Sequence, residues 1–135
     1  RQAGLVKDVT QVAHAAKLGL AEVLDARGPG RFAGTEAEPR PGLRAGHIPG
    51  SRNIPFPTLL NADGTMKDPA ALRAVFQAAG VDLTKPAITS CGSGVTAAVI
   101  SLALERIGHR NHALYDGSWA EWGMYEDLPV ATGPA

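Results

Sequence analysis

A single cysteine, Cys91, stands in 135 residues. No internal disulfide can form, so a reducing compartment and a cytoplasmic location are expected. Neither sign of charge is in excess, since 13 Lys and Arg face 13 Asp and Glu and the pI is near 7.1. Such a balance supplies no general field for nucleic acid or an anionic membrane, and neither is expected as a partner. Long apolar runs are missing as well. The longest, Val95 to Leu104, carries Thr96 and Ser101 and falls far short of a membrane span. No secretory signal pattern is read. The first residue is Arg1 and not Met, which suggests a processed product or part of a longer protein.

What is present is a core-forming composition. Apolar residues make up 44%, enough to exclude disorder as the dominant state, and the length suits one domain over 1–135. With 16 Gly and 10 Pro, long structured loops are expected. Short apolar runs bounded by Gly, Pro, Asn or Asp predict strands at Ala21–Asp25, Asn53–Ile54, Pro86–Ser90 and His112–Tyr115, with Leu5–Val6 a weaker fifth. Helical spacing predicts a helix over Val9–Leu18 stopped by Gly19, and another opened by Asp68-Pro69 with Leu72, Val75, Phe76 and Ala79 on its apolar face. A third, Val95–Ile107, is apolar almost all round and is expected to be buried. Ser118 is expected to cap a short helix running through Trp119, Trp122 and Met124. Arg27 to Gly50 has no periodicity and reads as a long loop, and the tail after Leu128 reads as irregular. Strands alternating with helices predict an α/β domain of three layers, a central mostly parallel sheet with helices on both faces.

The sharpest local feature is Thr89-Ser90-Cys91-Gly92-Ser93-Gly94-Val95-Thr96-Ala97. It puts Cys91 where a predicted strand gives way to a helix, the position at which open α/β sheets bind ligands. Gly92 and Gly94 permit close backbone approach, and successive N–H groups together with the helix start suit an anion. That environment should lower a thiol from its ordinary value of about 8.5, making Cys91 a nucleophile whose sulfur-borne anion the loop would hold. A buried, inert cysteine beside a tight turn is the bland alternative. A phosphate loop lacks its Gly-Lys-Ser/Thr ending, and a cysteine phosphatase would carry an arginine where Ala97 stands.

These residues resemble the active-site loop of rhodanese domains, and Cys-Gly-Ser-Gly-Val-Thr is similar to that of the 3-mercaptopyruvate sulfurtransferases. Further signatures fit the same family: Asp25-Ala26-Arg27 with Arg31-Phe32, Gly46 through Pro55, and Tyr115 through Trp122. The resemblance implies a rhodanese-like fold and the C-terminal, catalytic half of a two-domain enzyme whose N-terminal rhodanese-like domain is absent from this chain. It implies that Cys91 takes a sulfane sulfur from a small-molecule donor as a persulfide. The sulfur then passes to cyanide or a thiol, a thioredoxin-like protein among the possible acceptors. No metal or organic cofactor is implied. Gly92, Ser93, Gly94, Val95 and Thr96 would hold the persulfide, and Ser93 would also handle a proton. Arg31 and Arg40 match the arginines that grip the carboxylate and carbonyl side of mercaptopyruvate, for which a guanidinium fork is suited.

The remaining polar residues receive structural readings. Arg27 is expected in a salt bridge, and Asp25 to hold loop N–H groups. His47 is expected to be structural and not a base to Cys91. His109 and His112 read as a loop and not a metal pair. Glu36 and Glu38 are expected to be solvated, with little gained from any pairing to nearby arginines. Trp119 and Trp122 should close the core. Mercaptopyruvate is the expected donor, with thiosulfate second and a non-catalytic sulfur-carrier or regulatory module third. Thiosulfate, a compact dianion, would favour cations where Gly92 and Ser93 stand.

Overall fold

The computed structural model describes residues 6–38, 42–90, 96–115, 117–125 and 127–133. Five strands form one sheet: β1 (Val6–Lys7), β2 (Glu22–Asp25), β3 (Arg52–Asn53), β4 (Ala87–Ser90) and β5 (His112–Tyr115), in the order β1-β5-β4-β2-β3. All four pairings are parallel, and the central register sets Leu24 beside Thr89 and Asp25 beside Ser90. Five helices surround it: α1 (Val9–Leu18), α2 (Pro29–Ala33), α3 (Pro69–Ala78), α4 (Ala97–Arg106) and α5 (Ser118–Trp122), with a 3₁₀ turn at Phe56–Leu59.

Side chains alternate across each strand, so one sheet feeds two cores. Leu24 and Ala87 join Leu72, Phe76, Ile100 and Leu104 of α3 and α4 on one face. Val23, Ile88 and Tyr115 join Val12, Trp119 and Trp122 of α1 and α5 on the other. Every residue of β2 and β4 is buried, as expected of parallel strands covered on both faces. The expected three layers are therefore present, and both tryptophans close a core.

Local sequence explains most helix ends. Asp8 and Gln11 form a reciprocal cap on α1, each bond 2.9 Å, and Gly19 ends it in the left-handed region at φ +66°. Asp68 caps α3 through the N–H of Ala71, with Pro69 in the first turn. Three expectations need correction. α2 lies inside the stretch read as a loop; its signals are Pro29 at the start and left-handed Gly34 just past the end. α4 is not buried all round: Ala97, Ile100, Ala103 and Leu104 face the core, while Leu102 is 61% exposed. Ser118 does not cap α5. It is the first helical residue at φ +49°, its hydroxyl donates to the carbonyl of Tyr115 at 2.8 Å, and the helix stops at Trp122, leaving Met124 exposed.

The tail is not wholly irregular either. His47 and Ala131 exchange both backbone hydrogen bonds at 2.9 Å, laying the tail against Gly46. Gly46 has φ +124°, and a Cβ there would stand 2.4 Å from the carbonyl oxygen of Ala131 and 2.6 Å from Cγ1 of Val130. Gly46→Ala is expected to destabilise the fold by about 1–3 kcal/mol through strain and loss of tail docking. The midpoint of urea unfolding measures it, and an unchanged midpoint would show that the tail yields freely.

Candidate active site

From β2 the chain moves outward to β3, whereas from β4 it moves the opposite way to β5. The β2/β4 boundary is thus the point where successive connections diverge, the place beyond the carboxyl ends of the strands at which open α/β sheets bind ligands. The two ends are tied directly: the N–H of Ala26 donates to the carbonyl of Ser90 at 2.8 Å. Asn53 clamps the turn from the third strand, its amide donating to the carbonyls of Asp25 at 3.2 Å and Arg27 at 2.8 Å.

Buried charge fills this turn. The Arg27 guanidinium donates to both carboxylate oxygens of Asp25, with Nη2 to Oδ2 at 2.8 Å. Nη2 also reaches the carbonyl of Gly46 at 2.7 Å, and Nη1 reaches Glu38 Oε2 at 3.2 Å. Its Cζ lies 4.5 Å from the ring centre of Trp119, whose indole N–H donates to the carbonyl of Arg44 at 2.8 Å. Asp25 also accepts the N–H of Arg27 at 2.9 Å, so the expected structural roles of both residues hold. Glu38 is a correction. Its side chain is 1% exposed, and it accepts Nη2 of Arg31 at 2.8 Å and Nε at 3.1 Å in addition to Arg27. Burial lets its two oxygens join both arginines in one network, a pattern that sequence spacing alone does not distinguish from a solvated loop carboxylate.

Arg31, on α2, is the outermost cation of the network, its side chain 31% exposed while those of Arg27 and Glu38 are 1%. Of the other predicted site residues, Thr96 is half-buried and stands immediately before Ala97, the first residue of α4. Cys91, Gly92, Ser93, Gly94, Val95 and Arg40 lie outside the described residues. In sequence, Cys91 follows Ser90, the last residue of β4.

His47 is held structurally. Its ring stacks on Phe32 at 3.7 Å and 3°, and Nδ1 donates to the carbonyl of Phe32 at 2.7 Å. His109 and His112 diverge to separate partners, the carbonyl of Lys85 at 2.9 Å and Glu105 at 2.6 Å. Among the described residues no three His, Cys, Asp or Glu gather into a metal site, and no helix is long and apolar enough to cross a membrane. Burial, reinforced by its hydrogen bond to Glu121 at 2.7 Å, pushes the Tyr115 hydroxyl well above its ordinary range, so it stays a proton donor behind α5.

The model of the rhodanese-like domain matches residues 8–125. A 3-mercaptopyruvate sulfurtransferase of Escherichia coli is 50% identical over 125 residues, covering 93% of this chain and 44% of its own length. A thiosulfate sulfurtransferase of Bos taurus is 51% identical over 102 residues, 75% of this chain and 34% of its own. The crystal structure of the Tum1 protein of Saccharomyces cerevisiae superposes with a TM-score of 0.88 at 35% identity, over 99% of this chain and 48% of that one. The chain thus spans less than half the length of these relatives.

Proposed function

Since this chain belongs to the rhodanese family, we propose that it is the catalytic half of a sulfurtransferase, with Cys91 as nucleophile and 3-mercaptopyruvate as donor. The observation that carries the reading is the bond from Ala26 to Ser90 at the sheet's switch point, which fixes the turn leading to Arg31 against the strand that Cys91 follows. The Cys91 thiolate attacks the donor sulfur. The carbon–sulfur bond breaks with its electron pair passing to carbon, giving the enolate of pyruvate. Ser93 relays the sulfur-borne proton to that enolate, leaving the persulfide anion to the backbone N–H groups of Gly92 through Thr96 and to the positive end of α4. A thiol or cyanide, with a thioredoxin-like protein among the candidate thiols, then takes the outer sulfur. The enzyme is read as the C-terminal half of a two-domain protein in the cytoplasm, where the thiol stays reduced.

Identity does not choose the donor, because the bovine thiosulfate enzyme matches as well as the mercaptopyruvate enzyme of Escherichia coli. Charge favours mercaptopyruvate: Gly92 and Ser93 bring no cation next to the nucleophile, while Arg31 and Arg40 suit a carboxylate farther off. Arg31→Ala should lower kcat/KM for mercaptopyruvate by about 30- to 1,000-fold, and lysine should restore only part, being a point charge. Steady-state kinetics with both donors checks it. Unchanged mercaptopyruvate kinetics in Arg31→Ala would make Arg31 an ordinary surface residue and remove the main support for that donor, and a strong preference for thiosulfate would return the assignment to thiosulfate. Stoichiometric persulfide formation without turnover by the full protein favours the carrier reading.

A further inference from the structure

We propose that Glu38 is a positioning residue for donor recognition, setting the direction of the Arg31 guanidinium through a fork that Arg27 locks from behind. The inference rests on the carboxylate-binding reading of Arg31 and goes on to say what aims it. An arginine on a surface turn has several rotatable bonds and sweeps a wide arc, so a site for a small 2-keto acid needs its plane fixed beforehand. Arg31 sits on the five-residue helix α2, too short to hold a long side chain by packing alone. Glu38 supplies the hold. Its Oε1 takes Nη2 of Arg31 at 2.8 Å and its Oε2 takes Nε at 3.1 Å, a two-point contact that defines the guanidinium plane.

A carboxylate can fix another group only if it is fixed itself. Glu38 Oε2 also accepts Nη1 of Arg27 at 3.2 Å, and Arg27 is anchored to Asp25, to the carbonyl of Gly46 and over Trp119. The chain of contacts therefore runs from a strand end in the core to the one partly exposed cation among its four charged members. The side chain of Glu38 is shielded from water, so its hold is not weakened by exchange with solvent.

A plain charge effect predicts the opposite outcome, which makes the test sharp. Removing a negative charge beside an anion site strengthens anion binding if charge alone matters. Removing an aiming group weakens it. Glu38→Gln, Arg31→Ala and the double variant would be compared in the full chain with mercaptopyruvate, resolving KM from kcat. The expected result is a KM raised about five- to fifty-fold by Glu38→Gln, kcat within about twofold, and a double variant no worse than Arg31→Ala, because Glu38 acts through Arg31. Should Glu38→Gln fail to fold, Glu38→Asp keeps the charge, shortens the reach and carries the same expectation. An unchanged or lowered KM while Arg31→Ala raises it overturns the positioning role alone, as does a double variant with additive losses. An unchanged KM in Arg31→Ala overturns the carboxylate reading and the positioning role with it.

Discussion

Cys91→Ser is expected to end sulfur transfer and to leave the chain unable to take up one sulfur atom from the donor. The hydroxyl keeps the shape of the thiol, but it is too weakly acidic to become an anion near neutral pH, and no general base is assigned to it. His47, the nearest candidate in the sequence reading, has its Nδ1 bonded to Phe32 and its ring stacked there. The loss in turnover should be on the order of 10⁶-fold, the scale of nucleophile removal in hydrolytic enzymes. Intact-mass measurement after donor treatment separates chemistry from folding, because wild type should gain one sulfur and a folded Cys91→Ser chain none. A sulfur adduct on the serine chain would move the nucleophile elsewhere.

The second large effect concerns stability. Arg27→Met would remove the cation that serves two shielded carboxylates, and the methionine offers them no donor. Breaking one partner of a buried ion network costs about 3–5 kcal/mol, since the uncompensated charges lose water without gaining a hydrogen bond. Part of Asp25 remains satisfied by the N–H of Arg27, which survives the substitution, so the lower half of that range is the expectation. Arg27→Lys should recover only some of the loss, because one ammonium cannot reach Asp25, Glu38 and Gly46 in the planar arrangement the guanidinium uses. Urea unfolding decides the matter. A midpoint that falls by less than 1 kcal/mol equivalent, on the scale of about 0–1 kcal/mol for exposed pairs, would mean that water enters the turn and screens it.

Much of this architecture was legible in the chain. Asp68-Pro69 and Gly19 are local signals whose physics acts within a few residues, and the helices they bound stand where spacing put them. The strands were found to within a residue or two because each is a short apolar run between turn residues. What escaped lies where neither helical nor strand periodicity speaks. α2 is too short for periodicity to register, and only its flanking Pro29 and Gly34 mark it. Ser118 has the chemistry of a cap, yet its hydroxyl turns back to the carbonyl of Tyr115. Glu38 resembles Glu36 in sequence, but only Glu38 meets two arginines that the turn after β2 brings to it. Of the candidate site, the strand end at Ser90 was legible, whereas the helix that carries Arg31 was read as loop. The network that joins them is tertiary.

The interleaved order of the strands has a consequence for how the domain comes into being. β4, fourth along the chain, inserts between β2 and β5, and Val6 of β1 waits for Leu114 of β5. Two of the four pairings, β2–β3 and β4–β5, join consecutive strands, but each closes a parallel crossover, and β2–β4 and β1–β5 close longer loops still, so loop-closure entropy is met early and repaid late, and folding belongs to the slower, non-local class. The candidate site shares that fate. The turn that follows β2 and the end of β4 meet only when the central pair zips. An emerging chain therefore carries the turn of Arg27 and Arg31 apart from the strand that Cys91 follows in sequence. That juncture forms in the same step as the fold, and slow hydrogen exchange at the N–H of Ala26 should report that step.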